Sequence, residues 1–161
     1  MTTTTHPETR VTANPDLPTI EIVREFEAPV DAVFRAHTDP ELVKKWLGPR
    51  RLTMRIDRYD ARTGGAYRYV HTDQDGTDYG FYGAFHEVRP NERIVQTFTY
   101  EDVPDGVSLE TATFEDLGGR TRLSILSVLD SFESRDAMVA SGMESGVNEG
   151  YEQLDDLLAA G

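Results

Sequence analysis

The amino-acid sequence predicts an α+β fold: a seven-stranded curved antiparallel sheet around a long C-terminal helix, with two short helices between strands 1 and 2. Three observations predict it. Apolar residues alternate with period two through most of 51–129, and only turn residues separate the runs. One further alternating run, at 19–27, is set apart from these by two short helical patterns. The last segment, Glu133–Ala160, returns to helical spacing.

Residues 1–18 read as a flexible N-terminal tail, and the folded domain is expected over 19–161. Met1–Leu17 is rich in threonine, carries Pro7 and Pro15, and lacks the apolar core of a secretory signal. In the first strand Ile20, Ile22 and Phe26 share a face, where Arg24 also falls by spacing. Pro29 opens a helix at a position where its missing N–H costs nothing, and Val30, Val33, Phe34 and His37 follow at helical spacing. Asp39 caps a second helix with Pro40 in its first turn. Leu42, Val43, Trp46 and Leu47 form its stripe, and Gly48-Pro49 ends it. Six strands follow, at about 51–60, 65–73, 78–88, 93–101, 107–115 and 120–129. Their separators include Gly64-Gly65, Asp75-Gly76, Pro90-Asn91, Asp105-Gly106 and Gly118-Gly119. Such strands without intervening helices form an antiparallel meander.

Along the final helix, Met143, Val147, Tyr151, Leu154, Leu157 and Leu158 make one face. Gly142, Gly146 and Gly150 recur every fourth residue on one side, and each costs about 1 kcal/mol relative to alanine. Three readings of these glycines stay open: close approach of the helix to the sheet, a void left for a ligand, or a helix that starts late near Ser145.

Composition excludes several function classes. The formal net charge is −13, from 29 acids against 16 bases, which repels nucleic acid and anionic membranes. There is no cysteine, hence no disulfide, thiolate metal site or cysteine nucleophile. No run approaches the ~20 apolar residues of a membrane span, and a cytoplasmic location is the expectation.

Five local patterns, in order, resemble one family. They are Phe26-Glu27-Ala28-Pro29 with Val33-Phe34, then Lys45-Trp46-Leu47-Gly48-Pro49, then Gly64-Gly65-Ala66-Tyr67-Arg68. The stretch Gly83-Ala84-Phe85-His86-Glu87-Val88-Arg89-Pro90-Asn91 follows, and last comes Gly142-Met143-Glu144-Ser145-Gly146 with Gly150-Tyr151. The chain resembles the START-like or Bet v 1-like (SRPBCC) superfamily, and within it the activator of heat-shock-protein-90 ATPase homologue-like group, over about residues 19–160. The resemblance implies the helix-grip fold, with a cavity between sheet and helix for a lipid, polyketide, flavonoid-like or other apolar molecule, and no single reaction.

Alternation proposes the cavity wall. Tyr67, Tyr69 and His71 share a face, as do Gln96, Phe98 and Tyr100, and Leu123 and Ile125. Phe85 is placed inward, subject to a bulge that would flip its strand. Trp46, Met143, Val147 and Tyr151 complete the wall from the helices. The tyrosines join apolar rings to polar tips, as a binding wall needs. His71 and His86 are the acid–base candidates, but no catalytic motif, paired-histidine metal motif, phosphate loop or dinucleotide fingerprint accompanies them. No cofactor, metal or catalytic residue is therefore assigned. The expected partner is a small hydrophobic molecule; a chaperone or homodimer contact is the macromolecular alternative. Binding, a cyclase- or dehydratase-like reaction in the same cavity, and a chaperone-interacting stress-response module are the three readings carried forward.

Overall fold

The computed structural model describes residues 6–161. Residues 9–13 form strand β1, Thr9–Ala13, inside the segment expected to be a tail. It is followed by β2, Thr19–Phe26; α1, Val30–Thr38; and α2, Pro40–Trp46. The meander comprises β3, Thr53–Tyr59; β4, Ala66–Thr72; β5, Asp78–Arg89; β6, Arg93–Tyr100; β7, Ser108–Asp116; and β8, Thr121–Val128. Two helices end the chain: α3, Phe132–Ala140, and α4, Met143–Ala160.

The strands make one antiparallel sheet of eight, in the order β1-β2-β8-β7-β6-β5-β4-β3. This corrects the expected count of seven. The added strand pairs Thr9 with Arg24 through to Ala13 with Ile20 along the open edge of β2. The α1–α2 connection carries the chain from β2 to the far edge at β3, and the meander then returns to β2 through β8. One face of this curved sheet is buried: Ile20, Ile22, Phe26, Tyr67, Tyr69, Phe85, Phe114 and Leu123 join Val33, Phe34, Trp46, Tyr151 and Leu154 in a continuous core.

The expected single C-terminal helix is two. Gly142 has φ of +86°, a left-handed conformation that a side chain disfavours, and it separates α3 from α4. Ser131 caps α3 by accepting from Ser134 N. Asp39 caps α2 as expected, accepting from Glu41 N at 3.0 Å.

The other two glycines face neither the sheet nor a void. A Cβ on Gly150 would lie 3.1 Å from the Trp46 carbonyl oxygen and 3.3 Å from Gly48 N. One on Gly146 would meet Pro49 at 3.6 Å, an ordinary contact. The close approach is therefore between α4 and the end of α2. Among the described residues no helix is long and apolar enough to cross a membrane.

Candidate functional site

Strand register settles which side chains share the concave face. Tyr69 lies opposite Phe81, and Tyr67 opposite Gly83. Phe81 in turn lies opposite Tyr100, and Phe85 opposite Gln96. Because cross-strand partners point the same way, Tyr67, Tyr69, His71, Phe81, Phe85, Gln96, Phe98 and Tyr100 form one wall. A bulge does occur in β5, but between Phe85 and Glu87, so Phe85 stays inward and fully buried. His86 is left exposed.

The rings of this wall are packed in a row. Tyr67 stacks on Tyr69 at 6.0 Å between centroids, Tyr69 on Phe81 at 5.4 Å, and Phe81 on both Phe98 and Tyr100 at 5.4 and 5.2 Å. Their tips differ. The Tyr67 hydroxyl donates to the Thr97 carbonyl at 2.6 Å. The Tyr100 hydroxyl donates to Asp102 at 2.7 Å, which ties it to the rim. Tyr69 makes no side-chain hydrogen bond to another described residue, and burial pushes its phenol well up. Leu123 and Tyr151 are buried, whereas Gln96, Phe98, Tyr100, Ile125, Met143 and Val147 are only half-buried although they face the interior side of the fold.

The remaining wall residues lie toward the helices. Trp46 is buried, donates from Nε1 to Ala36 O at 2.9 Å, and stacks on Tyr151 at 5.9 Å. His71 sits under Gly48, where a Cβ would come within 2.6 Å of the ring. Among the described residues its Nε2 is buried without a partner, and desolvation lowers its pKa against a raising backbone hydrogen bond to Leu47. No described carboxylate bonds to it. Asp73 and Asp75 cap their own turn: Asp73 accepts from Asp75 N and Asp75 from Thr77 N, each at 2.9 Å. Among the described residues no three His, Asp or Glu converge as metal ligands.

Two groups on this face had no role assigned from the sequence. Arg24 is 1% exposed and grips Asp155 of α4 with two bonds of 2.8 and 2.6 Å. His6 Nδ1 lies 2.7 Å from the same carboxylate. Glu110, on β7, accepts from Ser127 Oγ at 2.9 Å, and burial pushes its carboxyl up from the ordinary glutamate range. Period-two spacing from buried Phe114 would have placed Glu110 inward. Arg24 fell on the inner face by the same rule, but its partner is 131 residues away.

Two open clefts lie outside the grip. One, of about 460 Å³, runs between the start of α2 and β3 and includes Lys44, Met54, Ile56 and Tyr59. The other, of about 240 Å³, lies beside Arg10, Arg24 and Arg120. Neither coincides with the hollow expected between sheet and α4.

A model of the family described as Activator of Hsp90 ATPase homolog 1-like protein matches residues 27–159. Among solved structures, a Mycobacterium smegmatis protein is 28% identical with a TM-score of 0.84, over 93% of this chain and 96% of that one. An Arthrobacter aurescens protein is 28% identical with a TM-score of 0.86, over 94% and 92%. A Chromobacterium violaceum protein is 30% identical with a TM-score of 0.76, over 88% and 96%. Comparison with curated proteins gives no match.

Proposed function

The chain belongs to the activator of Hsp90 ATPase homolog 1-like family, and from that premise we propose that it binds a small hydrophobic or amphipathic molecule between the concave sheet face and α4. The observation that carries this reading is the incomplete closure of that face. Phe98, Tyr100, Ile125, Met143 and Val147 keep part of their surface accessible, while the same side of the sheet is sealed around Phe26, Phe85 and Leu123. Half-covered apolar surface releases free energy on burial, about 25 cal/mol per Å², so a guest molecule gains by completing the cover. The ligand is a lipid, polyketide or flavonoid-like molecule, and the protein acts as a cytoplasmic carrier. Mass spectrometry of an organic extract of natively purified protein is the test. A stoichiometric apolar compound is expected; no extractable compound, together with no uptake of apolar probes, overturns the reading.

A cyclase- or dehydratase-like reaction would use the same wall, and buried His71 is its one histidine candidate there. Loss of turnover in His71→Gln with binding intact would establish it. One observation favours an interaction module instead. Leu109, Leu126 and Val128 are exposed side by side on the convex face of β7 and β8, where Leu109 lies opposite Val128. Stimulation of an Hsp90 ATPase by this chain, lost in Leu126→Glu, would move the function to that face.

A further inference from the structure

Polar side chains are concentrated at one place on the concave wall. Glu110 of β7 lies opposite Gln96 of β6 on one side and Ser127 of β8 on the other. Ser108, two residues before Glu110 on the same face, is 2% exposed, and its hydroxyl has no hydrogen-bond partner among the described residues. Ser127 is buried and donates to one carboxyl oxygen of Glu110. No other side chain hydrogen-bonds to that carboxyl among the described residues. A buried hydroxyl without a partner costs about 1–3 kcal/mol, and a core built only for stability would avoid it beside a desolvated acid.

Resting on the binding function proposed above, we infer that the Glu110–Ser108–Gln96–Ser127 cluster is the polar anchor of the site and takes an uncharged ligand through a carbonyl or hydroxyl oxygen. The surroundings of Glu110 select for such a group. Tyr67 and Tyr69 of β4 and Tyr151 of α4 are the ionisable side chains whose phenols respond to Glu110, and burial raises all three. Arg24, the buried cation on this face, is bound to Asp155. Desolvation pushes the Glu110 carboxyl up, and in its neutral form the group offers one O–H donor while keeping an acceptor. An anionic ligand finds no free buried cation here among the described residues, and an ammonium ligand would require the charged carboxylate that burial opposes.

Three probes with one ring system separate these cases: 2-acetylnaphthalene, 2-ethylnaphthalene and 2-naphthoate, titrated by NMR against the native chain, Glu110→Gln and Glu110→Leu. The acetyl compound is expected to bind about tenfold more tightly than the ethyl compound, the size of one buried hydrogen bond. Glu110→Gln, which keeps a neutral donor, should preserve the preference and Glu110→Leu should abolish it. Equal binding of acetyl and ethyl compounds to the native chain overturns the anchor and leaves the apolar binding function standing. Tightest binding of 2-naphthoate also overturns the anchor. Failure of all three probes to shift any concave-face resonance overturns both.

Discussion

The two halves of α4 meet the sheet and its neighbouring helices on different terms. From Gly150 to Asp155 the helix is fastened. Tyr151 packs edge-on to Phe26 at 5.3 Å, Leu154 is fully buried, and Gln153 Nε2 donates to the Trp46 and Gly48 carbonyls at 3.3 and 2.9 Å. Asp155 closes this half through Arg24. From Met143 to Glu149 the helix has few such ties. Met143 and Val147 are half-buried, and the one tertiary hydrogen bond among the described residues is the Arg50 N–H donating to Glu149 at 3.1 Å. The contacts that hold the fold are thus separated along one helix from the half-buried apolar surface. On the proposed binding function, a ligand would enter under the N-terminal half without disturbing the Arg24 pair.

Breaking the fastened half has the largest expected effect. Arg24→Ala leaves Asp155 without its main cation, and loss of one partner of a buried pair costs about 3–5 kcal/mol. Urea denaturation should show that loss, and Arg24→Ala with Asp155→Ala should cost less than the sum of the single variants. A loss under about 1 kcal/mol would mean that the pair is not what fastens α4.

Acid should loosen the same half. His37 packs against Trp46 and Phe114, its Nε2 is buried without a partner among the described residues, and burial lowers its pKa to about 4. The unfolded chain titrates near 6.5, so protonation favours unfolding. The contribution is full above about pH 6.5 and is lost as pH falls toward 4, by up to about 3 kcal/mol. Stability measured from pH 7.5 to 4 should fall in that window, and His37→Leu should flatten the fall.

The two glycines sharpen the contrast with the smallest effects. Gly150→Ala places a methyl 3.1 Å from the Trp46 carbonyl, where only backbone could yield, so it should destabilise despite a helix-propensity gain of about 1 kcal/mol. Gly146→Ala meets Pro49 at an ordinary 3.6 Å and should stabilise by about 0.5–1 kcal/mol. Thermal unfolding of both variants checks the opposite signs.

The meander and its inward face were legible because alternation and turn residues act locally. That rule placed Tyr67, Tyr69, Phe85, Gln96 and Leu123 on one side, as the register shows. β1 was not legible: Thr9–Ala13 holds one large apolar residue, Val11, and becomes a strand by pairing with the edge of β2. The break before α4 rests on one glycine whose spacing also fits a helix face. Glu110 escaped notice because a glutamate in a strand is ordinarily placed outward, although its spacing from Phe114 puts it on the inner face, where the register sets it against Gln96 and Ser127. The Arg24–Asp155 pair joins residues distant in sequence, where no local pattern reaches.

Amide hydrogen exchange along α4, with and without 2-acetylnaphthalene, tests the separation of fastening from binding most directly. Amides at Val147–Glu149 should exchange by smaller openings than those at Glu152–Asp155, and the probe should slow exchange chiefly at the former. Equal protection of both halves, unchanged by the probe, would contradict it.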